Sequence, residues 1–325
     1  MGSGAARGTA GEGGWNMIDV SNKGNTLRYA RAEGVLRAGR ATLQRVREGT
    51  VPKGDVPTTA RAAGIAAAKR ASDWIVFCHP IPLDWIEVQF QVAETELRVA
   101  AEARTVWRTG VEMEALAAVS AALLNAYDML KPLDRDLTIS DIRVVDKQGG
   151  QSQFRETFVP PLKTAVLIIS SANLAGKRED HASHAIRECL AEQPVQLDVW
   201  EVLPGDELAV RQRLVQLVER QNCELVLTSG GTGFGPSDIT PEATAAVMEK
   251  EVPGVIQMQR RFSLERTPHS MFFRGIAGIL KQSLIVNLPG SSQGAREALQ
   301  ALFPGILQVL AQLRRARQVD SEQIP

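Results

Sequence analysis

The stretch that most constrains this chain is residues 228–243, which read T-S-G-G-T-G-F-G-P-S-D-I-T-P-E-A. Ahead of it, Glu224-Leu-Val-Leu-Thr is a short apolar run of the kind that forms a buried strand. At its end, Thr240-Pro-Glu-Ala places Thr as an N-cap, Pro at the first helical position and an acid in the first turn. Between strand and helix lie Gly230, Gly231, Gly233 and Gly235, with Thr232 and the carboxylate of Asp238. Strand, glycine-rich turn and helix start together let backbone N–H groups converge on an anion. Glycine allows that backbone to approach a phosphate closely and to take up positive φ. A carboxylate beside it suits a divalent ion bridging such phosphates. The pattern is neither G-x-G-x-x-G nor a Walker loop, and a tight turn that needs glycine only for its shape fits it equally.

The surrounding rhythm alternates strand and helix: strand 164–170, helix 181–191, strand 195–202, helix 207–220, then helix 241–250, strand 283–288 and a long C-terminal helix. Such alternation predicts a parallel sheet covered on both faces, an α/β fold. Ligands in these folds bind outside the carboxyl ends of the strands, where the glycine loop falls. The first half reads differently. Residues 58–72, dense in alanine after Pro57, predict a helix whose small face, with Gly64, suits close packing against a sheet or another helix. Residues 86–92 alternate strictly and 97–103 nearly so, which predicts a hairpin with one wet face. A helix over 112–131 is stopped by Pro132, and a strand follows at 139–145. This half is α+β. Residues 148–161 carry turn formers and no apolar period, as a linker does. We expect a disordered glycine-rich tail at 1–16, a first domain at 17–150, a linker at 151–162, a second domain at 163–317 and a C-terminal tail at 318–325.

With 44% of 325 residues hydrophobic, the chain can build two cores. Lys plus Arg and Asp plus Glu balance at 37 each, so nothing recommends a nucleic-acid or membrane-surface partner. Cys78, Cys189 and Cys223 are widely spaced, which argues against a disulfide framework or zinc site and for a reducing compartment. No apolar run approaches membrane-spanning length and no signal-peptide core opens the chain, so a soluble cytoplasmic protein is expected.

In the first half the polar points in apolar surroundings are Lys53, Lys69, Cys78, His79, Glu112, Glu114, Asp128, Lys131 and Lys147. Asp128 and Lys131 are three residues apart on one helix face. Asp128 also sits in the last turn, where the helix dipole disfavours a carboxylate; a broken local rule hints at function, although a helix-end ion pair accounts for it too. His79 fits a hydrogen-bonded core histidine as well as a catalyst, and Glu112 with Glu114 fits an acid-rich first turn. Taken together, lysines, carboxylates and a histidine suit acid–base chemistry on a polyphosphate, provided the fold gathers them.

These residues carry a resemblance. Met17-Ile-Asp-Val-Ser, Lys53-Gly-Asp-Val, Ala62-Ala-Gly-Ile-Ala-Ala-Ala-Lys-Arg, Cys78-His-Pro, Thr109-Gly-Val-Glu-Met-Glu-Ala-Leu and Tyr127-Asp-Met-Leu-Lys resemble the MoaC family of cyclic pyranopterin monophosphate synthases, over about 17–150. Residues 163–317, with Ser229-Gly-Gly-Thr-Gly, Pro236-Ser-Asp-Ile-Thr-Pro-Glu-Ala, Leu203-Pro-Gly-Asp-Glu and Asn287-Leu-Pro-Gly-Ser, resemble the MogA/MoaB family of molybdopterin adenylyltransferases. The whole chain is similar to the two families fused, a bifunctional arrangement for molybdenum cofactor biosynthesis.

The resemblance implies a ferredoxin-like α+β first domain. It would convert a cyclic dihydroguanosine triphosphate, (8S)-3',8-cyclo-7,8-dihydroguanosine 5'-triphosphate, to cyclic pyranopterin monophosphate and pyrophosphate. Substrate-binding residues would be Cys78, His79, Glu112, Met113 and Glu114. Asp128 would be catalytic with Lys53 and Lys131 as acid–base partners, and Lys69, Lys147 and Arg28 would hold the triphosphate. The second domain would adenylylate molybdopterin with Mg-ATP, using Asp206 and Asp238 with Mg²⁺. Ser229, Gly230, Gly231, Thr232 and Gly233 would cradle phosphate, and Asn287, Pro289, Gly290, Ser291 and Ser292 would line the same pocket. No tightly bound cofactor is implied. His181 and His184 are expected at the surface. Three departures stand out: Ser237 where that family has Arg, Ser170-Ser-Ala-Asn where it has Ser-Asp-Ser, and Gln148 in place of Ser after Lys147. The partners implied are small pterin and nucleotide substrates and further copies of the chain, in a threefold homo-oligomer, a hexamer. The alternative is a synthase whose C-terminal domain is a non-catalytic pterin-binding or oligomerisation module; Asp206 and Asp238 favour two activities.

Overall fold

The computed structural model describes residues 16–170 and 181–322. The tail expected at 1–16, but for Asn16, and the Ser171-Ala-Asn departure lie outside these residues, as do 323–325. The chain divides into two compact units, 1–153 and 154–325.

In the first unit β1 (Thr26–Arg37) leads through α1 (Arg40–Glu48), α2 (Val56–Ala68) and the short α3 (Ala71–Trp74) to β2 (Trp85–Val92) and β3 (Glu96–Trp107), then α4 (Glu112–Leu130) and β4 (Thr138–Gly149). The sheet order is β2-β3-β1-β4 and every pairing is antiparallel. This is the expected ferredoxin-like arrangement. The hairpin forms where the alternation predicted it, with Val92 opposite Leu97. One sheet face buries Ala30, Ala32, Leu36, Val99 and Ala101 against α4, whose inner face is Ala115, Ala118, Val119, Ala122, Leu123 and Ala126. A Cβ added at Gly64 of α2 would stand 2.8 Å from Ala118 O and 3.3 Å from Val88 Cγ2. The small face of α2 thus seats against both helix and sheet, because only a bare backbone fits that gap. Asp55 caps α2 by accepting the Thr58 N–H at 2.8 Å. The helix ends at Ala68, short of the expected Ser72, and α3 resumes after a break at 69–70.

The second unit runs β5 (Leu162–Ile169), α5 (His181–Ala191), β6 (Val195–Leu203), α6 (Glu207–Glu219), β7 (Leu225–Ser229), α7 (Thr240–Ala245), β8 (Lys250–Glu251), α8 (Pro253–Leu264), β9 (Ala277–Leu280), β10 (Ser283–Leu288), α9 (Ser292–Leu302) and α10 (Gly305–Glu322). Its sheet order is β6-β5-β7-β10-β9-β8. Along β5, Ala165, Leu167 and Ile169 pack with Val210, Leu214 and Leu217 of α6, whereas Val166 and Ile168 share a cluster with Ile186 of α5 and Leu299 of α9. Both faces are covered, which is why the strands read as continuous apolar runs rather than alternating ones. From β5 the chain steps to β6 on one side and then to β7 on the other. The carboxyl ends of β5 and β7 therefore mark a topological switch point, and the glycine loop leaves β7 there.

Several expectations need correction. The sheet is parallel only from β6 to β10; β9 and β8 pair antiparallel at its edge. The helix expected at 241–250 ends at Ala245, and Lys250–Glu251 pairs with β9 instead. Thr240 is not an N-cap: its hydroxyl donates to Gly230 O at 2.8 Å, tying the helix start to the glycine loop. The single long C-terminal helix is two, broken at Phe303-Pro304, since proline cannot donate to a continuing helix. The second of them runs to Glu322, past the tail expected from 318. The linker stretch gives up its first residues to β4, whose Gly149 lies opposite Arg28.

Candidate active sites

Helix α4 organises the first unit because its two ends carry two different polar clusters. At its C-terminal end Lys53 donates to Asp128 Oδ2 at 2.7 Å and to Asp128 O at 2.8 Å, and Lys131 pairs with Asp128 Oδ1 at 2.7 Å. These hydrogen bonds, that of Lys131 first and then that of Lys53, pull the Asp128 carboxyl down to about 2, and Lys131 is raised in return. At neutral pH the cluster is a carboxylate clamped between two ammonium groups, on the surface.

At the N-terminal end the Cys78 thiol donates to Glu114 Oε1 at 3.6 Å. Glu114 is 2% exposed, and its other oxygen is buried without a partner among the described residues. Burial raises the Glu114 carboxyl, and it pushes the Cys78 thiol up to about 11 with help from Glu114. A thiol held there is a hydrogen-bond donor, not a nucleophile. His79 Nε2 donates to Ile18 O at 2.9 Å, which pins residues before β1 across this end. Lys147 pairs with Glu112 at 3.6 Å, and Arg28 donates to Trp107 O and Arg108 O at 3.4 and 3.0 Å. Met113 is exposed. Lys69 follows the end of α2, whose antiparallel path along α4 carries it from Asp128 towards Glu114. The sequence-predicted residues thus fall into two groups. Fourteen residues separate Glu114 from Asp128, so at ~1.5 Å per helical residue the groups lie about 21 Å apart. Asp128, Lys53 and Lys131 are not brought to Cys78, Met113 and Glu114 within one copy of the chain.

In the second unit the loop after β7 is held by its neighbours. Gly230 has φ +95°, and an added Cβ would stand 2.5 Å from Ile169 O. Gly230→Ala is expected to cost about 1–3 kcal/mol of second-unit stability, read as a shift of that unit's unfolding transition with the first unit's unchanged. Ser229 donates to Pro289 O at 3.0 Å, and a Cβ at Gly290 would lie 3.0 Å from Gly230 Cα, so the 287–292 segment does meet the glycine loop. Gly231 and Gly233 lie in the same turn, and Thr232 is buried. Ser291 caps α9 by accepting the Gly294 N–H at 3.1 Å, and Ser292 opens that helix, exposed. Asn287 departs from expectation. It is fully buried, donates to Thr228 and Thr244 hydroxyls at 2.9 Å each, and accepts the Ile276 N–H at 3.0 Å. Its hydrogen-bonding capacity is spent inside the protein, so it braces the loops and does not line a pocket.

Asp206 accepts the Ala209 N–H at 2.8 Å as the cap of α6, and Asp238 Oδ2 accepts the Gly235 N–H at 2.8 Å. A Cβ at Gly205 would run into Ser237 O, so the segments before Asp206 and Asp238 abut. Two carboxylates on abutting segments, one of them in the glycine-rich turn, fit Mg²⁺ shared with substrate phosphates, which needs only one or two protein carboxylates. Among the described residues no group of three or more His, Cys, Asp or Glu side chains gathers as a metal site by itself. His184 is exposed and pairs with Glu188 at 3.0 Å; the side chain of His181 lies outside the description. Sequence reasoning missed Arg274, which reaches this loop from 36 residues beyond Asp238. An arginine in an irregular segment gives no periodic or motif signal.

The MoaC family model matches residues 17–150, and a model described as a probable molybdopterin binding domain matches 165–308. The "Molybdenum cofactor biosynthesis bifunctional protein" of Chlorobaculum tepidum is 36% identical over 298 residues, covering 92% of this chain and 94% of that protein. That of Synechococcus elongatus is 37% identical over 313 residues, covering 92% and 98%. The "Cyclic pyranopterin monophosphate synthase" of Heliobacterium modesticaldum is 50% identical over 143 residues, covering 43% of this chain and 90% of that protein. Relatives that align through both units, in the same order and at this identity, leave one assignment: the chain belongs to the family of molybdenum cofactor biosynthesis bifunctional proteins.

Proposed function

We propose that the chain acts at two steps of molybdenum cofactor biosynthesis. The first unit rearranges (8S)-3',8-cyclo-7,8-dihydroguanosine 5'-triphosphate to cyclic pyranopterin monophosphate with release of pyrophosphate. The second transfers AMP from Mg-ATP to molybdopterin. The observation that carries this reading is the alignment with bifunctional relatives through both units. It favours two activities over a synthase with a passive C-terminal module.

In the first reaction Glu114 and the Cys78 thiol receive the ring system. The buried unpartnered oxygen of Glu114 is an acceptor matched to a heterocycle's N–H donors. Lys147, Lys69 and Arg28 lie on the Glu114 side and offset the charge of the triphosphate. Asp128 holds Lys53 and Lys131 on its two oxygens, so that one ammonium can transfer a proton while the other offsets negative charge developing on the substrate. A small substrate must touch both groups, and within one copy they stand ~21 Å apart. A second copy supplies the missing end, which supports a homo-oligomer; twofold pairs arranged about a threefold axis give the hexamer.

In the second reaction the glycine-loop amides orient the ATP phosphates, and Asp206 and Asp238 hold Mg²⁺. The ion supplies charge neutralisation for the departing pyrophosphate. Beyond that the protein need only position the pterin phosphate for in-line attack. No helix among the described residues is long and apolar enough to cross a membrane, and cysteine usage suits the cytoplasm.

The test assays the full chain for both products beside Asp206→Asn and Asp238→Asn. Adenylylation is expected to fall at least about 10²-fold in each variant, with synthase activity retained. A wild-type protein that makes cyclic pyranopterin monophosphate but never adenylylates molybdopterin would return the second unit to a binding or assembly role.

A further inference from the structure

Arg274 lies between the 3₁₀ turn Pro268–Phe272 and β9, outside every motif that the sequence singles out. Its Nε donates to Gly233 O at 2.6 Å, its Nη2 donates to Asp238 O at 2.8 Å, and its Nη1 pairs with Glu242 Oε1 at 2.6 Å. The ring of Phe234 lies 5.9 Å from its Cζ. Gly233 and Asp238 are the two ends of the turn that completes the glycine loop, and Glu242 belongs to the first turn of α7. One planar guanidinium therefore joins both ends of the turn to the helix that follows. From within, the Asp238 carboxylate closes the same turn by accepting the Gly235 N–H.

We propose that Arg274 is a positioning residue for this loop: it fixes the 233–238 turn, and with it the Asp238 carboxylate, in the geometry that receives a nucleotide polyphosphate and its divalent cation. The inference rests on the adenylylation reading. The residue beside the aspartate is Ser237, and the cation that meets this turn comes from a remote segment. Glu242 neutralises that cation, so its contribution is geometric rather than a spare charge aimed at substrate. Geometry of this kind depends on the fork, since a guanidinium can meet two carbonyls and a carboxylate at once in fixed directions, whereas an ammonium is a point charge.

The experiment uses the full chain with Arg274→Lys and Arg274→Gln. Three readouts are taken: amide hydrogen exchange without ligand, MgATP binding by calorimetry, and adenylylation kinetics. Synthase activity and the unfolding temperature serve as internal controls. In both variants exchange across 230–239 is expected to quicken about tenfold, MgATP affinity to weaken about tenfold, and adenylylation kcat to fall at least as much. The KM for molybdopterin and the synthase activity stay unchanged, and lysine does not rescue. Full rescue by Arg274→Lys would show that charge alone suffices and overturn the inference. So would unchanged exchange across the loop, or exchange that quickens evenly over the whole second unit with a matching fall in unfolding temperature. A wild-type protein that binds MgATP yet forms no adenylylated product defeats the adenylylation reading instead; exchange and MgATP binding then still decide the role of Arg274.

Discussion

Replacing Asp128 by Asn is expected to lower cyclic pyranopterin monophosphate formation by roughly 10²–10⁴-fold, while adenylylation by the same molecules is unchanged. The size follows from what Asp128 holds. Its two oxygens meet Lys53 and Lys131, each at 2.7 Å, and among the described residues no other acidic side chain is paired with either lysine. The amide of Asn keeps the shape and loses the charge, so the two ammonium groups repel and separate. Because Asp128 is exposed, the variant folds, and the loss reads on chemistry. The two lysines hold the carboxyl at about 2 against an ordinary 3.8. The direction is the usual one for a paired acid: the stabilisation is present above the ordinary value and disappears only as pH falls through about 2. Asp128 is then ionised throughout the neutral range, and any acid limb in the synthase pH profile belongs to another group. A titration of the Asp128 carboxyl that gives an ordinary value would contradict the clamp.

Two inactive synthases are expected to restore each other. Asp128→Asn removes the charge that holds the cluster at one end of α4, and Glu114→Gln turns one of two acceptor oxygens at the other into an N–H donor, ~21 Å away by helix rise. If each site takes one end from each of two copies, co-refolding the variants in equal amounts gives mixed pairs. In such a pair one site carries both changes and the other neither. Random assembly then restores about a quarter of wild-type synthase activity. Neither variant alone, nor the two mixed without exchange of subunits, gains any. A mixture that stays inactive after proven exchange would mean that each copy builds its site from its own residues, and that the two ends of α4 serve different purposes. Glu114→Gln itself is informative. A buried carboxyl raised by burial tolerates a neutral amide in the fold, so its loss is expected in substrate binding more than in stability.

Much of this architecture is legible in the sequence. The hairpin at 86–92 and 97–103 declared itself by alternation, because one face of that sheet stays wet. The parallel strands β5, β7 and β10 declared themselves as short apolar runs, because both faces are covered. Strand β1 stayed hidden although it lies inside the first sheet. Its fully buried positions include Ala30 and Ala32, which are too small to register as apolar against Arg31 and Glu33 beside them. Helix α8 and strand β9 were missed where charged residues and glycine interrupt the period.

The sequence by itself determined the chemistry available: which residues resemble two known sites, that the halves are different folds, and that a glycine loop ends β7 where a phosphate could sit. Those are local properties, set by residue type and by spacing along at most a few turns. Tertiary structure alone decided which residues meet. It carried Lys53 across 75 residues to Asp128 and set Asp128 at the opposite end of α4 from Glu114. It sealed Asn287 into a hydrogen-bonded core between β10, β7 and α7, and it brought Arg274 to the loop at Gly233. The reason is that packing free energy is earned by apolar area wherever it lies in the chain, so the polar residues delivered to one another by that packing leave no mark on their own neighbours in sequence.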